Sequence, residues 1–121
     1  MQQVLYIDDE PDILELAEIY FADHKISIKT AQNAQEALDL YVQTPFDVII
    51  SDARMPGVKG AELYQELVDK FHFKGHFIIV SGHFDGNEQK TLPKGIALVL
   101  MKPIDFDDLI ERVRSYLNLS K

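Results

Sequence analysis

Apolar positions along the chain fall into two rhythms that alternate from one end to the other. Gln2 to Ile7, the run Val48-Ile49-Ile50, His76 to Val80 and Ile96 to Met101 are short and nearly continuous in apolar residues. Such runs, bounded by turn residues, read as buried strands, because parallel strands covered by helices carry apolar side chains on both faces. Ile26 to Thr30 instead alternates apolar with polar residues, as a more exposed or edge strand would.

Between these runs the apolar spacing changes to that of helices. Pro11 suits a first helical turn, where its missing N–H is not needed, and Asp12 suits the same turn as a charge. Ile13, Leu14, Leu16, Ala17, Ile19, Tyr20 and Phe21 follow as a broad apolar face. Asn33 with Glu36 resembles a capping box, and Thr44-Pro45 stops the helix that it opens. Ala61 to Phe71 supplies a third helix, and Asp105 or a neighbour caps a last one carrying Phe106, Leu109, Ile110, Val113 and Tyr116. After Ser81 the signal weakens: Phe84-Asp85-Gly86-Asn87 is turn-like and Pro93 interrupts, so a short or poorly formed fourth helix is expected.

Five strand signals alternating with five helix signals predict one α/β domain over residues 1–121. The sheet is parallel and doubly wound, with right-handed crossovers. In the flavodoxin-like (βα)5 order 2-1-3-4-5, the first and third strands are neighbours at the switch point, where ligands bind beyond the strands' carboxyl ends. Four strands end there in a polar residue: Asp8-Asp9, Asp52, Ser81 and Lys102. A lone aspartate at a strand end is more often a cap or turn residue. Convergence of three is what sets these apart.

Composition narrows the chemistry. The chain has 121 residues, 46% of them hydrophobic, and no cysteine, which excludes disulfides, thiolate metal sites and a cysteine nucleophile. The lack of cysteine fits a reducing compartment, and a cytoplasmic location is expected. No apolar run reaches membrane-span length, and no basic leader precedes the first strand, so neither membrane insertion nor a signal peptide is expected. A formal charge of −8 argues against direct nucleic-acid binding and is compatible with cations or a basic partner. Two carboxylates about 4 Å apart repel by roughly 4 kcal/mol at an effective dielectric of 20. Three of them call for Lys102, shifted pKa values or a divalent cation, and oxygen donors favour Mg²⁺, Mn²⁺ or Ca²⁺.

Taken together, Asp8-Asp9, Asp52 with Met55-Pro56 and Gly60, Ser81, and Lys102-Pro103 resemble, in order and spacing, the receiver domain of two-component response regulators. The resemblance covers essentially the whole chain. It implies that Asp52 accepts a phosphoryl group from a sensor histidine kinase or a histidine phosphotransfer protein. Asp9, Asp52 and the backbone carbonyl of Arg54 would ligate Mg²⁺ (or Mn²⁺), with Asp8 acting directly or through water. Ser81 and Lys102 would hold phosphoryl oxygens, and Pro103 is a candidate for a cis peptide bond. Ile13, Leu14 and Leu16 lie on the family's usual kinase-docking side. Arg54 and His83 occupy rim positions and are expected to tune the lifetime of the phosphorylated state.

Val99 departs from the pattern. The family often has an aromatic residue three positions before the lysine, and a valine cannot make the coupled ring swing. Output then leaves by another face, or phosphorylation orders the weak fourth helix. A downstream protein target is implied, and a homodimer is compatible with the resemblance. Two other functions compete: a small-molecule phosphatase or phosphotransferase working through an aspartyl-phosphate, and a protein-interaction module independent of phosphorylation. The first lacks a cap segment to enclose a substrate. The second leaves five intact site positions unexplained.

Overall fold

A computed structural model describes residues 3–82 and 92–119. Five strands form a parallel sheet: β1 (Val4–Ile7), β2 (Ile28–Ala31), β3 (Val48–Asp52), β6 (His76–Ser81) and β7 (Leu98–Met101). Their order, β2-β1-β3-β6-β7, is the flavodoxin-like order 2-1-3-4-5 once a small hairpin is set aside. That hairpin pairs β4 (Arg54–Met55) with β5 (Val58–Lys59) around Pro56-Gly57. Gly57 supplies the positive φ of 84° at the bend, which other residues rarely adopt.

Alternation along each strand divides the core into two layers. Leu5, Ile7, Ile49, Phe77 and Ile79 point to one face, where Ala37 and Tyr41 of α2 (Ala34–Gln43) and Leu63 and Leu67 of α3 (Gly60–Phe71) cover them. Val4, Tyr6, Ile50, Ile78 and Val80 point to the other. There they meet Leu14, Ala17 and Phe21 of α1 (Pro11–Asp23) and Leu109, Ile110 and Val113 of α4 (Phe106–Leu119). Only this narrow stripe of α1 is buried; Leu16, Ile19 and Tyr20, counted in its apolar face from spacing, stand 43%, 56% and 41% exposed. Leu14, in contrast, is buried and is not available to a partner.

Local signals fix where the helices begin. Asn33 Oδ1 accepts from the Glu36 N–H at 2.8 Å, and Glu36 accepts in return from the Gln32 N–H. Glu62 accepts from the Lys59 N–H at 2.8 Å, fixing the entry to α3 immediately after the hairpin. Asp105 Oδ1 accepts from the Asp108 N–H and opens α4. Pro93 lies in a turn ahead of β7, where the Ile96 N–H reaches its carbonyl, and not in a helix. The remainder of the expected fourth helix lies outside the described residues.

Candidate phosphoryl and metal site

Register brings the polar strand ends together. Ile7 is level with Ser51 across β1 and β3, and Asp52 is level with Val80 across β3 and β6. The chain therefore leaves β1 at Asp8 beside Asp52, with Ser81 at the end of the next strand. One carboxylate oxygen from each of Asp8, Asp9 and Asp52 lies within 4.8 Å of the others. Asp8 and Asp52 are 2% and 7% exposed, whereas Asp9 is open to solvent.

Lys102 supplies the counter-charge. Its Nζ donates to Asp52 Oδ2 at 3.3 Å and stands 3.9 Å from Asp8 Oδ2. Burial acts to lower the ammonium's pKa, but Asp52 and Asp8 together outweigh it and hold it above its ordinary value. The Lys102–Pro103 peptide bond is cis. Burial, aided by repulsion from Asp52 and Asp9, pushes the Asp8 carboxyl up to about 6, against the lowering influence of the Glu10 N–H and Lys102. Glu10 donates that backbone hydrogen bond to Asp8 Oδ1 at 2.9 Å.

The crevice is a cavity of about 360 Å³ lined by Asp9, Glu10, Asp52, Arg54, Ser81 and Lys102, among others. Ser81, which lines the crevice, is 2% exposed. Gly60 holds α3 close: its N–H donates to the Ala53 carbonyl at 2.8 Å, and a Cβ there would stand 2.6 Å from the Asp52 carbonyl oxygen. Three hard oxygen donors and a surplus of negative charge over Lys102 suit a small divalent cation such as Mg²⁺ or Mn²⁺.

Glu10 lines the crevice as well, and its place directly after the Asp8-Asp9 pair is the signal for it in the sequence. Arg54 lines the crevice from the hairpin with its side chain exposed. Val99 is level with Ile79 and packs, half-buried, against the α2–α3 layer of the core. His83 lies outside the described residues.

Over residues 4–114 the sequence matches the response regulator receiver domain family. It is similar to the response regulator protein PilR of Pseudomonas aeruginosa, 35% identical over 119 residues that make up 98% of this chain and 26% of that protein. It is also similar to the response regulator ArlR of Staphylococcus aureus, 25% identical over 97% of this chain and 53% of that one. The chain thus spans between a quarter and just over half the length of these relatives. The receiver domain of a Francisella response regulator superposes with a TM-score of 0.88 at 30% identity, over the whole of both chains. Response regulator TrrA of Thermotoga maritima, solved in complex with Mg²⁺ and BeF, gives 0.82 at 29% identity over 96% of this chain and 99% of that one. With the acid crevice at the switch point of a 2-1-3-4-5 sheet, the chain belongs to the receiver domain family of two-component response regulators.

Proposed function

We propose that Asp52 is the phosphoacceptor of this receiver. The observation that carries the reading is the approach of the Asp52 carboxylate to Lys102, 3.3 Å, within a cluster of three acids. A carboxylate oxygen of Asp52 attacks the phosphorus of a phosphohistidine. The P–N bond breaks, and the imidazole leaves with its electron pair. Lys102 Nζ, a point charge well suited to phosphate, holds one phosphoryl oxygen, and the Ser81 hydroxyl donates to another. Asp9, Asp52 and the Arg54 carbonyl would hold Mg²⁺ (or Mn²⁺), and Asp8 would support it directly or through water. When bound, the ion offsets the repulsion between the acceptor carboxylate and the incoming anion. Positioning and charge stabilisation are most of what phosphoryl transfer requires of a protein.

The donor in this reading is a sensor histidine kinase or histidine phosphotransfer protein. The phosphorylated form then shifts its population toward a conformation that a downstream protein recognises. The domain acts as a signalling acceptor in the cytoplasm and turns over no substrate besides its own phosphoryl group. Arg54 and His83 tune how long that group survives; an unchanged dephosphorylation rate in both Arg54→Ala and His83→Ala counts against this role.

The test is transfer of label from a phosphohistidine donor in the presence of Mg²⁺. Wild type takes the label and Asp52→Asn does not. Undiminished labelling of Asp52→Asn refutes the assignment.

A further inference from the structure

An open groove of about 590 Å³ lies between α2, the β4–β5 hairpin and α3, on the face of the sheet away from α1 and α4. Ala34 and Leu38 of α2 and Pro56 and Val58 of the hairpin line it with apolar surface, and Gln35 and Glu66 add polar groups. Leu38 is only half-buried there. Val42, one turn further along the same side of α2, is 67% exposed and continues the apolar surface beyond the groove. An apolar groove prolonged by an exposed apolar side chain is the kind of surface that a protein partner covers.

Charge says what kind of partner. The two flanking helices carry Glu36, Asp39, Glu62, Glu66 and Asp69 against a single cation, Lys70. They hold half of the chain's formal charge of −8. Lys70 is already paired with Glu66 at 3.5 Å. Asp39 and Asp69 accept hydrogen bonds from neutral amides, those of Gln35 and Gln65, each at 3.0 Å, which leave their charge in place. A negative, apolar groove complements a helix with leucine-like residues on one face and lysine or arginine beside them.

We propose that this groove docks a basic amphipathic helix of a downstream protein, and that the hairpin couples docking to the state of Asp52. The helix seats its apolar face against Leu38, Val42, Pro56 and Val58, and its cations face the acids of α2 and α3. The hairpin touches both sites. It opens at Arg54, which lines the acid crevice, whereas Pro56 and Val58 line the groove. Its exit is tied back to the site by the Gly60 N–H, which donates to the Ala53 carbonyl at 2.8 Å. A phosphoryl group at Asp52 therefore acts on one wall of the groove, and output by this face needs no aromatic residue at Val99. The coupling rests on the phosphoacceptor reading; the docking does not.

The probe is a short helical peptide with leucine on one face and lysine and arginine on the other. It is titrated into the whole chain in Mg²⁺ and followed by amide NMR, beside a scrambled peptide of the same composition and a twin with glutamate for every cation. The helical peptide should give saturable shifts at Leu38, Val42, Val58 and Glu66, with a Kd on the order of 100 µM. The glutamate twin should give none, and the scrambled peptide should not saturate. Val42→Lys and Glu66→Lys, both surface changes, should each weaken binding about tenfold. Absence of saturable shifts, shifts confined to the acid crevice, equal binding of the scrambled peptide, or unchanged affinity in both variants overturns the docking surface. Acetyl phosphate should tighten binding to wild type about fivefold and leave Asp52→Asn unchanged. A wild type that takes the label but binds the peptide no more tightly overturns the coupling. A wild type that takes no label at all instead refutes the phosphoacceptor reading.

Discussion

The Lys102 ammonium bridges two buried acids, 3.3 Å from Asp52 and 3.9 Å from Asp8, and it reaches them from the far end of the sheet's last strand. Removing it leaves two carboxylates with no cation between them. Because the Lys102 side chain is 32% exposed, part of that interaction is screened by water. Lys102→Met should therefore lower metal-free stability by about 1–2 kcal/mol, read from urea melts. Mg²⁺ should recover more stability in the variant than in wild type, since the ion then replaces the missing charge. Equal recovery in the two proteins contradicts this.

Asp8 sets a pH dependence. Its folded-state carboxyl titrates near 6, above its ordinary 3.8, so the folded form binds the proton more tightly than the unfolded form does. Its contribution to stability is complete below pH 3.8 and is lost as pH rises through about 6. In chelator, Asp8→Asn should flatten this fall and be the more stable protein at neutral pH, by about 1–2 kcal/mol after screening. Mg²⁺ binding runs in the opposite sense, because ligands must be deprotonated. Affinity at pH 5 should be about tenfold weaker than at pH 7. Titration calorimetry at the two pH values checks it.

Gly60 carries the close approach of α3 to the site. A Cβ would stand 2.6 Å from the Asp52 carbonyl and 3.2 Å from Ser51 Oγ, and a backbone carbonyl cannot yield without displacing Asp52 itself. Gly60→Ala should cost about 1–3 kcal/mol of stability. It should also weaken Mg²⁺ binding, a loss that stabilising osmolyte does not restore.

Two helix ends give stability changes of opposite sign. Asn33 Oδ1 accepts from the Glu36 N–H, so Asn33→Ala should cost about 1 kcal/mol. His72 closes α3 with φ at 57°, a conformation that glycine adopts without strain. His72→Gly should stabilise the fold by roughly 0.5 kcal/mol, the strain relieved less the entropy glycine loses on folding. Thermal melts of both variants test the pair.

The sheet was legible because each buried strand announces itself twice, by an apolar run and by the polar residue that ends it. Strand order then carried Asp8, Asp9, Asp52, Ser81 and Lys102 to one edge before any distance was known. The hairpin around Pro56-Gly57 was not legible, because two-residue strands are too short for any periodicity. The second strand was expected from Ile26 but pairs only from Ile28, because the Ile26 N–H is spent on the Phe21 carbonyl at the end of α1. On α1, Leu14 and Leu16 look alike in sequence; one is 5% exposed and the other 43%, and only the packing of α4 beside them decides which is which. The groove at Leu38 arises from residues on α2, the hairpin and α3, a juxtaposition that no local pattern encodes.

Intact-mass analysis after incubation with acetyl phosphate and Mg²⁺ decides whether Asp52 is the residue modified. Wild type should gain one phosphoryl group, mapped to the peptide containing Asp52 and absent in chelator or in Asp52→Asn. A phosphoryl group that persists in Asp52→Asn, or that forms equally well without a divalent cation, would contradict it.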